Sequence, residues 1–140
     1  MKNRMWIAIS TVVLAICLTG CYSTTNHQVE QDTVDYCYQI NKLIKDFDFH
    51  TAEVTDAGIV LLDKNFDELE TVPFDDYQQH IKILGIHKNG EVIFFVLSGS
   101  VDDEQGLMFV NDDSNQILDG LNSIDRVGSN YYYYDTQQSP

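Results

Sequence analysis

Basic residues are scarce in this chain. Eight Lys and Arg stand against 22 Asp and Glu, a formal charge of −14 over 140 residues, and a field of that sign repels phosphate backbones and anionic headgroups. Nucleic acid is therefore not an expected partner. Cysteine occurs three times, as Cys17, Cys21 and Cys37. The sequence motifs of common enzymes are missing as well: there is no Gly-x-Ser-x-Gly elbow, no His-Glu-x-x-His helix, no Gly-rich phosphate loop and no Cys-x-x-Cys pair. His27, His50, His80 and His87 are dispersed and form no constellation with a nucleophile. Catalytic residues and a metal site are not expected.

What the chain does have begins at its first residues. Lys2 and Arg4 form a positive stretch, Trp6 to Ile16 an apolar core, and Thr19-Gly20 a small-residue approach to Cys21, the layout of a removable secretory signal. Leu18-Thr19-Gly20-Cys21 resembles the lipobox of bacterial lipoproteins. The resemblance covers the export segment only. It implies cleavage before Cys21 and acylation of its thiol with a diacylglycerol, with or without an added N-acyl chain. Each buried methylene contributes about 0.8 kcal/mol, so two or three acyl chains hold a domain on a membrane where one does not. Tyr22 is not the aspartate that favours inner-membrane retention in Gram-negative members of the class, so an outer-membrane address is expected if the envelope is of that type.

Cleavage removes Lys2 and Arg4, takes the formal charge from −14 to −16 and leaves 120 residues, the size of one domain with one core. The expected division is a signal over 1–20, a lipidated tether over 21–28, an acidic domain over 29–135 and a frayed tail over 136–140. With Cys17 gone and Cys21 acylated, Cys37 is the last thiol and no intrachain disulfide can form. Between Tyr36 and Tyr38 it reads as a small buried apolar residue.

The domain reads as α+β, with one long N-terminal amphipathic helix packed on an antiparallel sheet of about four to six strands built from hairpins. Tyr36, Cys37, Ile40, Leu43, Ile44 and Phe47 recur at helical spacing across 29–47, with Asp32 or Thr33 near the start. Ile59 to Leu62 reads as a strand. Asp63 to Gln79 reads as a polar connection anchored by Phe66, Leu69, Phe74 and Tyr77, in which Pro73 opens a short helix or a turn.

Ile81 to Leu97 is the clearest hairpin, because Asn89-Gly90 is a preferred pair for a type I′ turn. That turn pairs Lys88 with Glu91, Ile86 with Ile93, Leu84 with Phe95 and Gly85 with Phe94. Ile86, Ile93, Leu84, Phe95 and Leu97 then share one face, and Val92, Phe94, Ile83, Val96 and His87 the other. Neither face is polar, so the strand is expected to be covered on both sides. The helix covers one; segments before Ile81 or after Asp113 are expected over the second, the alternative being a groove filled by a partner, a dimer mate or a lipidic ligand. Residues 98–105 read as a loop, Gly106 to Val110 as a strand, Asp113 or Ser114 as the cap of a short helix through Ile117, Leu118 and Leu121, and Ile124 to Val127 with Tyr131 to Tyr134 as a last hairpin.

Two patches stand out as candidate partner-binding residues. Asp102, Asp103 and Glu104 concentrate carboxylates beside flexible glycines. Tyr131, Tyr132, Tyr133 and Tyr134 would place alternate rings on opposite sides of a strand, and outward rings supply contact area at low entropic cost. Asp63-Lys64-Asn65-Phe66-Asp67 has oxygen ligands at alternate positions, but Glu68 and Phe74 occupy the places where a calcium loop needs Gly and a bidentate Glu. The functional expectation is a non-enzymatic, membrane-anchored envelope module that binds a protein partner of basic character, as an accessory or immunity-like inhibitor. A small hydrolase of envelope glycans or peptides, and a structural lipoprotein, are the alternatives.

Overall fold

The computed structural model describes residues 29–100, 103–111, 121 and 123–136. The export segment, Cys21, the tether, Asp102, the helix expected after Asp113 and the last four residues of the tail lie outside them. Helix α1 (Gln31–Ile44) is followed by β1 (Thr51–Thr55), β2 (Gly58–Leu62), β3 (Glu68–Val72), β4 (Gly85–Asn89), β5 (Val92–Ser100), β6 (Asp103–Val110), β7 (Ser123–Arg126) and β8 (Tyr131–Asp135). All pairings are antiparallel, in one sheet of order β3-β2-β1-β4-β5-β6-β8-β7. No helix among the described residues is long and apolar enough to cross a membrane.

The α+β class and the hairpin construction agree with the sequence, but helix length and strand number do not. α1 lies inside the chain rather than at its N-terminus and has 14 residues. It ends at Ile44, where the Lys88 ammonium donates to the carbonyls that follow, Lys45 O at 2.8 Å and Phe47 O, and a cation at a helix C-terminus satisfies orphan acceptors and the dipole together. The sheet has eight strands instead of four to six. β1 was not expected, and β3 occupies part of the stretch read as a connection.

One face of the sheet carries α1. Val34, Tyr36, Cys37, Ile40 and Ile44 pack on Ala52, Ile59, Leu61, Ile86, Ile93, Phe95, Leu107 and Phe109. Cys37 is fully buried, which pushes its thiol up to about 12 and makes it an inert core residue at neutral pH. Asn41, the one buried polar residue among those described, joins the helix to the end of β6 by a reciprocal amide pair with Asn111, at 3.1 and 3.3 Å. The second face holds a smaller cluster of Val92, Phe94, Met108 and Tyr134, against which Leu121, Ile124 and Tyr132 pack. Leu121 lies after Asp113, in the part of the chain expected to supply this cover.

The β4–β5 hairpin forms in a different register from the expected one. Asn89 pairs with Val92, Lys88 with Ile93, His87 with Phe94, Ile86 with Phe95 and Gly85 with Val96. The two-residue loop is thus Gly90-Glu91, with Gly90 at φ +60° and no positive φ at Asn89. Gly at the first central position is the type II′ preference, which outcompetes the Asn-Gly alternative. Because the slip is two residues, every side chain within the ladder keeps its face. Beyond it the assignment fails: Leu84 is exposed and Ile83 packs with the helix-side core.

Candidate functional site

β4, β5, β6 and β8 each contribute one residue to a polar group on the second face. His87 sits opposite Phe94 and stacks on it, with centroids 4.8 Å apart. Phe94 meets Tyr134 edge to face at 5.2 Å. Glu104 closes the ring, its Oε2 lying 3.9 Å from His87 Nε2. Burial lowers the imidazole below its usual range, with the Glu104 charge opposing and His50 reinforcing the shift. Burial and then the Glu104 charge raise the Tyr134 phenol, whose hydroxyl reaches no partner of good hydrogen-bond geometry among the described residues. Burial thus favours the neutral imidazole at His87, and among the described residues no nucleophile hydrogen-bonds to it.

This arrangement redistributes the two expected patches. Asp103 and Glu104 are not in a loop. β5 runs to Ser100 and β6 begins at Asp103, with Ser100 opposite Asp103 and Gly99 opposite Glu104. Gly99 has φ +110°, and a Cβ there would lie 1.7 Å from Asp103 O, so this hairpin end requires glycine. Glu104 is drawn inward and its N–H donates to Thr136 Oγ1 at 2.8 Å.

The four tyrosines do alternate as a strand dictates, but they do not form an open platform. Tyr133 and Tyr134 are buried, and Tyr131 stacks on Phe109 at 5.3 Å beneath Tyr38. Tyr132 is half-buried beside the second-face cluster. Their rings serve as core pieces on both faces because β8 is covered on both. Glu104 and Tyr134, read as members of separate patches, meet in one group. His87 was missed in this role, since only the sheet register places it beside Glu104.

The β2–β3 turn is the more accessible feature. Asp63 Oδ1 accepts the N–H groups of Asn65 at 2.7 Å and Asp67 at 3.0 Å, while Asp63 N–H donates to Asp67 O and Phe66 N–H to Asp63 O, both at 3.0 Å. The Asp63 carboxylate is thereby committed to backbone, as in an Asx turn. No cluster of three or more metal-ligating side chains occurs among the described residues. Phe66 takes φ +64°, the one non-glycine residue with positive φ described, and its side chain is 70% exposed. Leu69, 53% exposed, follows in β3. Phe66, Leu69 and Tyr77 are thus surface residues instead of anchors, and Phe74 alone of the four is buried.

Two open clefts flank β1 and β4. One of about 640 Å³ lies between β1 and residues 77–84, where Leu84 N–H turns to Val96 O at 2.8 Å and the β1–β4 ladder ends at Ala52 and Ile86. Tyr36, at its floor, is raised by burial, opposed by the Gln78 N–H that donates to it. The other, about 530 Å³, lies beside the Lys88 contacts at the helix end. Comparison with protein-family models, curated proteins and solved structures gave no match.

Proposed function

We propose that this chain is an exported envelope lipoprotein, anchored through acylated Cys21, whose acidic domain binds a basic protein as an accessory or inhibitory module. The charge carries the reading: 22 carboxylates against 8 basic residues, and on the described surface Glu53, Asp56, Asp67, Glu68, Glu70, Asp75 and Asp76 are all exposed along the β1–β3 end. Such a surface accelerates encounter with a cationic partner and disfavours anionic ones. The anchoring part rests on Leu18-Thr19-Gly20-Cys21. The basic and apolar segment upstream supports it, since that is the context in which such a cysteine is acylated.

Two measurements test the proposal. Mass spectrometry of the mature protein is expected to find a diacylglycerol on Cys21 and none in Cys21→Ser; identical maturation of the two proteins would refute the anchor. Affinity capture from envelope extract is expected to retain a basic protein whose affinity falls as salt rises. Absence of any captured basic protein would refute the binding role.

A further inference from the structure

The free edge of β3 differs from the rest of the sheet. Among the described residues β3 pairs with β2 alone and ends the strand order, so its outer backbone groups face away from the sheet. Its register skips Leu69, leaving Glu68 opposite Leu62 and Glu70 opposite Leu61. Next to this edge stand two exposed large apolar side chains, Phe66 and Leu69, within a run of carboxylates at Asp67, Glu68 and Glu70. The opposite edge strand is different: the Arg126 guanidinium beside it donates to the carbonyls of Gly128 at 2.8 Å and Ser129 at 2.9 Å.

Phe66 is the informative residue. A left-handed backbone is costly for a non-glycine residue, and a ring left in water recovers none of that cost by burial. Four hydrogen bonds within Asp63 to Asp67 hold this conformation, so the ring is aimed outward by a braced turn. Folding gains nothing evident from an aromatic here, where Gly or Asn would fit the backbone without strain. Binding does gain, because an anchor already fixed in place loses little entropy on association.

We propose that the β3 edge is the docking site for an extended basic segment of the partner protein, which pairs alongside β3 with Phe66 and Leu69 as apolar anchors. This rests on the reading of the domain as a binder of basic protein. An extended chain offers backbone donors and acceptors to the strand edge and places alternate side chains on one face. The bulge sets Glu68 and Glu70 on opposite faces, with Leu62 and Leu61 respectively, so lysine or arginine on either face of the segment meets one of them, and its apolar residues meet Phe66 and Leu69. Charge complementarity selects the sign of the partner, and the strand edge selects its conformation.

The test uses the full-length lipidated chain in detergent micelles and a synthetic peptide alternating lysine with valine. Amide chemical shifts are expected to move at 66–72, and hydrogen exchange of β3 to slow, when the peptide is added at low salt. Phe66→Asn, which keeps the turn, and Glu68→Lys with Glu70→Lys are each expected to weaken binding about tenfold or more, roughly 1.4 kcal/mol. Far-ultraviolet circular dichroism confirms that each variant is folded. Equal affinity for parent and Phe66→Asn, or shifts spread over carboxylates away from β3, overturns the docking site. If envelope capture still yields a basic protein in either of those cases, the binding role stands and only its location falls. If capture yields none, the role itself falls.

Discussion

Val92 to Val96 and Glu68 to Val72 are equal lengths of strand in one sheet, with opposite surroundings. The first stretch is buried at all five positions, whereas the second is exposed at three and buried only at Val72. The central run has α1 on one side and the Met108–Tyr134 cluster on the other, so every residue finds packing partners. The edge run has a neighbour on one side only, and it carries charge where the centre carries hydrocarbon. Stability is therefore concentrated in β5 and β6, which leaves β3 free to present groups that folding does not need.

The largest test of this contrast is Phe95→Ala. Phe95 is fully buried and meets Phe109 edge to face at 5.4 Å, and deleting such a ring costs about 3–5 kcal/mol, a large part of the roughly 5–15 kcal/mol that holds a domain together. Urea denaturation is expected to show a strongly lowered midpoint. Leu69→Ala, at the edge, is expected to change that midpoint by less than about 0.5 kcal/mol; comparable losses in the two variants would erase the distinction.

Asn41→Ala probes the polar seam between α1 and β6. It removes both hydrogen bonds to Asn111 and leaves the Asn111 amide with an unmade pair, a loss of about 1–3 kcal/mol. Because Asn111 N–H also donates to Glu91 O at 2.8 Å, the seam reaches the β4–β5 loop. Amide exchange at Gly90 and Glu91 is expected to quicken in the variant. Unchanged exchange would confine the pair to local helix docking.

His87 supplies the pH dependence. Its pKa is lowered in the folded protein, so below the ordinary imidazole value of 6.5 the unfolded chain binds a proton more readily than the folded one. The stability gained by keeping the ring neutral is complete above pH 6.5 and is lost as pH falls through the folded-state value. Urea midpoints measured from pH 8 downward are expected to decline more steeply for the parent than for His87→Gln. Parallel curves would mean that Glu104 compensates the imidazole fully on protonation.

Legibility in the sequence follows the same division between centre and edge. The helix stripe, the β4–β5 hairpin, the strand at Gly106 to Val110 and the final hairpin are recognisable because two-sided burial or amphipathic spacing writes a period into the residues. β3 reads Glu-Leu-Glu-Thr-Val and β1 Thr-Ala-Glu-Val-Thr, short segments with little apolar signal, and their strand state comes from pairing with β2. Ser98-Gly99-Ser100 has loop composition, yet it pairs with β6 because Gly99 permits the close approach. Of the functional groups, Glu104 and Tyr134 were visible as residue types, but their meeting with His87 depends on three ladders whose registers no local pattern specifies. Phe66 was misread as an anchor since a Phe between polar residues ordinarily marks burial.

Phe66→Asn is expected to have a small effect of the opposite sign. Asn accepts the left-handed backbone more readily than Phe, its short side chain suits an Asx-type turn, and no buried contact is lost because the ring faces water. A gain of about 0.5–1 kcal/mol follows from relief of strain, measured as a raised urea midpoint with an unchanged slope. Paired with weaker peptide binding, that gain would show a residue retained for recognition at the expense of stability. A loss of stability instead would mean that the ring supports the β2–β3 turn from outside, and the edge would then share the structural duty assigned to the centre.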